Sequence, residues 1–253
     1  MPAPAHATVA ERSWEELVSG ASNFLSLLDE HLGVRVPGFL PAAECATLVR
    51  RVYAGRPFWV ADFEGVQFSL GRAWYTHLEQ DREEEYFAQA HASDAVVERM
   101  LPGLQARLRH ALSVLVGAPA VHREGWCGPG VHIFPAGQWL SHNGGDIHFD
   151  TEGLSEAHCA RRARALTLVL MFQPPESGGE LRLWDVLYAG SDEVPERVHT
   201  AARADVAYGT GELLVLDSYR LHQIQPFTGR RDRISATAHA ALNASGSGWD
   251  VWF

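Results

Sequence analysis

The sequence predicts a mostly β protein with flanking N-terminal helices (α+β), built as a barrel or sandwich backed by a helical layer. Two observations carry this expectation. Beyond Gly117, six strand-sized runs, GVHIFP, DIHFD, ALTLVLMF, ELRLWDVL, GELLVLD and RISATAHAAL, are separated by turn-rich pieces such as PAG, PPESGG, YGTG and PFTGRRD. Before Gly117, apolar residues recur mainly at helical spacing. No internal repeat, low-complexity segment or linker divides the chain. Residues 1–253 are therefore read as one domain, with about 10–117 a helical buttress carrying early strands and about 118–242 the barrel core.

In chain order, about ten small residues open the sequence and are expected to be weakly ordered. Ser13 and Glu16 form a capping-box pattern, and Trp14, Leu17, Phe24, Leu25, Leu27 and Leu28 follow at helical spacing, which predicts a helix to about His31. VRVPGFLP is a short apolar segment broken by Pro37 and Pro41, and AAECATLVRRVYA is an amphipathic helix, so the order here is strand, turn, helix. Residues 58–77 alternate weakly and suit one or two strands. The run QDREEEYF reads as a solvated helix face. Residues 94–116 place Val96, Val97, Met100, Leu101, Leu104, Leu108, Leu112 and Val116 at helical spacing around Pro102, which predicts one kinked helix or two abutting ones.

Composition narrows the function classes. The 253 residues carry 21 Lys plus Arg against 31 Asp plus Glu, a formal charge of −10. That balance argues against a nucleic-acid or anionic-membrane surface, so an anionic ligand must be held by a local Arg. The three cysteines form no CxxC pair and are expected to be reduced thiols of a cytoplasmic protein. No stretch approaches 18 apolar residues and the N-terminus has no export signature, so no membrane association is expected. A monomer or homodimer fits these features.

The chemistry centres on residues 141–153, SHNGGDIHFDTEG. His148 and Asp150 are two residues apart, so on an extended strand both side chains lie on one face and can reach one metal ion. Spacing alone is a weak signal, because three His-x-acid tripeptides occur: His77-Leu78-Glu79, His122-Arg123-Glu124 and His148-Phe149-Asp150. Context separates the third, which follows the turn-forming Asn143-Gly144-Gly145 and precedes further strand-sized runs. Among these later residues, the strand ending at Asp217 is followed by His222, a Pro-Phe-Thr-Gly turn and a strand begun by Arg233-Ile234-Ser235. Two imidazoles and one carboxylate are a ligand set for a divalent metal; a zinc hydrolase or a non-catalytic cupin-like binding protein can use the same residues.

HxD, then His222 about 70 residues on and Arg233 11 beyond it, resembles the Fe(II)/2-oxoglutarate-dependent oxygenases of the prolyl-hydroxylase-like type. Further matches are Gly178-Gly179-Glu180-Leu181, the H-x3-P-x-T-G pattern at His222, and GFLPAAECATLV near the start. Together they span about Val34 to Ala241. The resemblance implies a double-stranded β-helix (jelly-roll, cupin-like) core. It implies Fe(II) on His148, Asp150 and His222, with 2-oxoglutarate and O2 at the remaining positions. It also implies that Arg233 holds the distal carboxylate of 2-oxoglutarate with Ser235 in support, a role for which a planar guanidinium is better suited than Lys.

Two departures stand out. The family's Arg commonly falls one position earlier, where this chain has Asp232; Arg233 is preferred because R-x-S at a strand start recurs in the family, and Arg231 is second. Where relatives often carry a Tyr in the strand leading to HxD, this chain has Phe134, so a hydroxyl for the co-substrate must come from elsewhere, with Thr167 and Ser235 as candidates. Related halogenases have Gly or Ala at the position of Asp150. A carboxylate there implies hydroxylation of an unactivated C–H bond coupled to decarboxylation of 2-oxoglutarate, with desaturation or cyclisation as the alternative.

Substrate residues are less sharply marked. Arg72 in GRAWYTH is a candidate for a substrate carboxylate, because small amino-acid oxygenases and halogenases resemble this segment; a surface Arg is the competing reading. Trp74, Tyr75, Trp139 and Trp184 suit a pocket wall or simply core. Asp146 and Glu152 flank the metal motif and would favour a cationic group, or are solvated loop acids. Thr237 and His239 share the inward face of Arg233 and Ser235 if that strand is regular. His142 is read as a loop residue or a ligand. The expected partner is a small-molecule substrate, a free or carrier-bound amino acid or similar metabolite.

Overall fold

A computed structural model describes residues 7–20 and 23–253. The opening residues 1–6, expected to be weakly ordered, lie outside the described residues. The centre of the molecule is a mixed sheet whose hydrogen-bonded order runs Ala10–Glu11, Val34–Val36, Leu213–Asp217, Ala165–Gln173, Arg233–Leu242, Gly130–Phe134, Gln67–Leu70, Val60–Asp62. Facing it is a smaller antiparallel sheet of Arg203–Val206, Leu181–Leu187 and Arg220–Ile224. The chain crosses repeatedly between the two sheets, which is the jelly-roll pattern of a double-stranded β-helix.

The period-two alternation of the long central strands sorts side chains to two environments. Ile234, Ala236, Ala238 and Ala240 face outward into a core shared with Leu104, Leu108 and Leu112 of the helix Leu104–Val116 and Val52 of the helix Ala42–Ala54. Arg233, Ser235, Thr237 and His239 face a cavity between the sheets. On the adjacent strand, Leu166, Leu168, Leu170 and Phe172 join the helix-facing core while Thr167 and Val169 line the cavity. Helices thus seal one face of the large sheet and leave the other to build a site. Among the described residues no helix is long and apolar enough to cross a membrane.

The two abutting helices expected over 94–116 and the two strands expected within 58–77 are present, while other local expectations need correction. The capping box at Ser13 and Glu16 forms, but its helix is only Trp14–Val18; Gly20 turns the chain at φ +71°, and Asn23 caps a separate helix, Phe24–Glu30. The run at 94–116 is two helices, and the first extends back through the charged run as Glu83–Met100. Residues 58–77 hold strands Val60–Asp62 and Gln67–Leu70 followed by the short helix Trp74–Leu78. DIHFD is not a strand: His148 forms an isolated bridge to His222, next to a register shift between Arg220 and His222 that interrupts the ladder. The strands Arg203–Val206, Arg220–Ile224 and Trp249–Trp252 lie outside the six runs picked from sequence.

Candidate metal centre

The interrupted ladder is what brings the HxD segment to the distal histidine. His148 and His222 exchange backbone hydrogen bonds at 3.0 and 2.9 Å, and the Asp150 amide donates to Ser218 O at 2.9 Å. Their side chains converge: the imidazole centroids of His148 and His222 are 4.3 Å apart, and one ligand atom from each of His148, Asp150 and His222 lies within 4.8 Å of the others. The Nδ1–H of His148 donates to Asp146 O at 2.8 Å, and that of His222 to Arg220 O at 2.9 Å. Both rings are thereby fixed with Nε2 toward Asp150, 3.6 and 3.4 Å from its carboxylate oxygens. Anchoring of the remote ring nitrogen by a backbone carbonyl is the outer-shell arrangement of metal-bound histidine.

Asp150 is held as well. Thr167 donates its hydroxyl proton to Asp150 Oδ2 at 2.6 Å, and Ser218 Oγ and His239 Nδ1 lie 2.9 and 3.3 Å from the Thr167 oxygen. Thr167, a candidate for the co-substrate, therefore has its proton committed to Asp150. Burial disfavours the Asp150 charge, but the imidazoles of His222, His239 and His148 outweigh it and hold the carboxyl well below the usual range. For His148, burial is likewise outweighed by the hydrogen bond and charge of Asp150, which push its pKa up; for His222, burial wins and the pKa falls. An anionic carboxylate beside two oriented nitrogens fits a divalent cation, and supplies three ligands on one side of it.

A cavity of about 360 Å³ opens beside these ligands. At its inner end Arg233 is 2% exposed, with Nη1 3.3 Å from Ser235 Oγ and Nε 3.4 Å from Gly179 O. No carboxylate among the described residues pairs with it. An unpaired guanidinium in so dry a place is costly unless an anion joins it. Arg231, the second choice for that role, instead approaches Pro175 O at 3.4 Å and is absent from the lining.

Of the candidate substrate residues, Tyr75, Trp139, Asp146, Glu152, Thr237 and His239 line the cavity. Three do not. Arg72 pairs with Glu85 at 2.9 Å and donates to His77 Nε2 at 2.9 Å. Trp74 packs with Tyr86, Phe87 and Trp126, and Trp184 with Phe149, Val186 and Val198. His142 is exposed on the short helix Trp139–Asn143. The other two His-x-acid tripeptides are not metal sites: His77 is buried and bonded to Ala73 O, and His122 lies 3.6 Å from Asp94. Glu79 from the first of them nonetheless lines the cavity, as do His132 and Phe63, which sequence reasoning passed over. His132 was detectable, since it alternates with Phe134 on the strand GVHIF; Glu79 carried no such signal.

No protein-family model and no curated protein matches this chain. Solved structures do. An oxidoreductase of the 2OG-Fe(II) oxygenase family from Burkholderia pseudomallei superposes with a TM-score of 0.52 at 14% identity, covering 91% of this chain and 93% of that one. The non-heme alpha ketoglutarate dependent epimerase SnoN from nogalamycin biosynthesis gives a TM-score of 0.52 at 16% identity, over 83% of this chain and 78% of that one. The chain has the fold of these proteins.

Proposed function

We propose that this protein is an Fe(II)- and 2-oxoglutarate-dependent oxygenase that hydroxylates a C–H bond of a small, amine-bearing metabolite. The observation that carries the reading is the pairing, in one cavity, of the His148, Asp150, His222 set with the buried Arg233, which no carboxylate of the described residues neutralises. A metal-only function has no use for the second feature. The fold shared with two proteins named for 2-oxoglutarate chemistry agrees with it.

Each part of the site has a task under this reading. His148, Asp150 and His222 hold iron, which with 2-oxoglutarate and O2 supplies the oxidising power for C–H cleavage. Arg233 and Ser235 bind the distal carboxylate and so set the co-substrate's length and direction. Phe134, Val169, Leu181, Leu216 and Ile224 wall this end with apolar surface and exclude water. Asp150 occupies the position that would otherwise admit a halide.

The mouth is lined by Phe63, Tyr75 and Trp139 together with Glu79, Asp146 and Glu152. Among the described residues Arg233 is the only Arg or Lys in the lining, and it is at the inner end. Burial and the charge of Asp150 push the Glu152 carboxyl up to about 7, so a further anion is unwelcome here and an ammonium is favoured. With Arg72 turned away, a free substrate carboxylate has no permanent cation to meet. An amino acid whose carboxyl is masked, as an amide, ester or carrier thioester, fits better than the free acid.

The test is anaerobic addition of Fe(II) and 2-oxoglutarate. A weak visible metal-to-ligand absorption band should appear and be lost in His148→Ala. Absence of the band in wild type would sink the reading. Turnover without O2 would favour a zinc hydrolase on the same ligands. Substrate-dependent succinate formation, screened over amino acids and their carboxyl-masked derivatives, identifies the substrate, and product analysis separates hydroxylation from desaturation or cyclisation.

A further inference from the structure

A second hollow, of about 410 Å³, lies beside the cavity and shares Glu152 with it. Two segments form the ridge between them. On the short helix Trp74–Leu78 and its cap, Tyr75 and Glu79 line the cavity, while Trp74 and Leu78, each one position earlier, line the hollow. In the loop after the HxD segment, Asp150 faces the cavity and Thr151, Gly153, Leu154 and Ser155 face the hollow. A ligand longer than the cavity can therefore cross the rim at Glu152 and continue into the hollow.

Among the described residues that line the hollow, Arg123 is the only Arg or Lys, and it is fixed in place. Its guanidinium carbon is 3.6 Å from the Trp126 ring centroid and 4.8 Å from that of Trp252, and its Nη1 donates to Gly153 O at 2.6 Å. Gly153, at φ +84°, lets the loop close on these indoles: a Cβ there would lie 2.8 Å from Trp252 Nε1 and 3.1 Å from Trp126 Cζ3. No carboxylate among the described residues forms an ion pair with Arg123. A guanidinium has five N–H donors, and the Gly153 carbonyl occupies one of them. Glu152 and Asp192 also line the hollow, and Asp192 accepts from the Thr151 hydroxyl at 2.7 Å. A bare anion would meet both acids as well as the cation. A group that carries an N–H beside its carboxylate complements all three.

We propose that this hollow is a second substrate subsite, in which Arg123 binds the terminal carboxylate of an amide-linked extension while the reacting, amine-bearing unit occupies the cavity. This rests on the oxygenase reading given above and sharpens it. Of the carboxyl masks named there, an amide that ends in a free carboxylate is the one the hollow recognises. Trp74, Leu78 and Leu154 offer apolar surface to the side chain of the extension.

Dipeptides with alanine first and leucine, phenylalanine or methionine second are the probes, each as the free acid and as the C-terminal amide. Binding is followed by tryptophan fluorescence under anaerobic conditions, with and without Fe(II) and 2-oxoglutarate. Wild type should bind at least one free acid about ten- to a hundredfold more tightly than its amide, the range expected for hydrogen bonds to a charged group. Arg123→Gln removes the charge and keeps a donor for Gly153 O; it should lose that preference and bind the amide as wild type does. A clamp that only holds the two indoles would, when broken, weaken acid and amide equally. The wild-type comparison needs no variant, so the test stands if Arg123→Gln does not fold. Equal wild-type affinity for acid and amide, binding of inorganic phosphate but of no dipeptide, or a preference that survives in Arg123→Gln overturns the subsite. An acid preference in a protein that shows no metal-to-ligand band overturns the oxygenase reading and leaves a carboxylate site at Arg123, whereas a normal band with no preference overturns the subsite alone.

Discussion

Thr167 and Asp150 share a 2.6 Å hydrogen bond in which the threonine hydroxyl is the donor and Oδ2 the acceptor. It leaves Oδ1 as the oxygen free to face a metal and fixes the carboxylate plane between the two imidazoles. Thr167→Val keeps the shape and removes the donor. Fe(II) affinity, measured by competition with a chromogenic chelator, should fall about ten- to a hundredfold, the usual effect of losing an outer-shell partner. An unchanged affinity would mean that Ser218 or His239 orients Asp150 without help.

Metal uptake should depend on pH through His148. Its folded pKa is pushed up to about 9 by the hydrogen bond and charge of Asp150 against the opposing effect of burial, so the metal-free site carries a proton there at neutral pH. Binding requires that proton to leave. Fe(II) affinity should therefore rise about tenfold per pH unit and level off near pH 9. The proton released per ion bound, read by calorimetry in buffers of different ionisation enthalpy, should be close to one at pH 7. Release of none would show that the site is already neutral.

The cavity wall was legible in sequence because it obeys a local rule. Arg233, Ser235, Thr237 and His239 alternate on one strand whose register against Gly130–Phe134 is continuous, and despite a shift between Ile234 and Ser235 against Ala165–Gln173 all four line the cavity. The convergence of His148, Asp150 and His222 was legible because HxD and a distal His are chemically unusual together. What failed depended on tertiary contacts with no local signature. Arg72 was lost to Glu85, a residue of the following helix. Glu79 reaches the cavity from the end of a short helix whose relation to it is fixed only by tertiary packing. DIHFD looked like a strand from its alternation, yet the bulge at Arg220 to His222 limits it to one bridge.

His132 gives the fold a defined acid sensitivity. It is 6% exposed, its Nδ1 has no hydrogen-bond partner, and burial, followed by the charges of His239 and Arg233, lowers its pKa to about 3. The unfolded chain protonates this ring near 6.5 and the folded protein does not, so its contribution to folding falls as pH drops below 6.5, by about 1.4 kcal/mol per unit. His132→Phe should cancel that share. Relative to its own value at pH 7.5, the variant should retain about 2 kcal/mol more stability than wild type at pH 5 in urea unfolding. Parallel acid profiles for the two proteins would rule out a neutral, buried His132.

Gly130 and Phe253 are matched in shape across the sheet and the last segment of the chain. A Cβ on Gly130 would lie 2.2 Å from Phe253 Cε1 and 2.3 Å from Cδ1. The Phe253 ring is 1% exposed and packs 4.7 Å from the His132 ring, while its backbone joins Cys127 O, the Trp74 amide and the Tyr86 hydroxyl. Gly130→Ala should overpack this contact and cost roughly 1–3 kcal/mol, and Phe253→Ala should open a cavity and cost roughly 3–5 kcal/mol. In the double variant the new methyl occupies part of the vacated space, so the two losses should sum to less than additive by at least about 1 kcal/mol. A double-mutant cycle in urea measures this directly. Strict additivity would mean that the ring moves aside in Gly130→Ala without strain, and that the tight fit at Gly130 does not hold the terminal strand Trp249–Trp252 against the barrel.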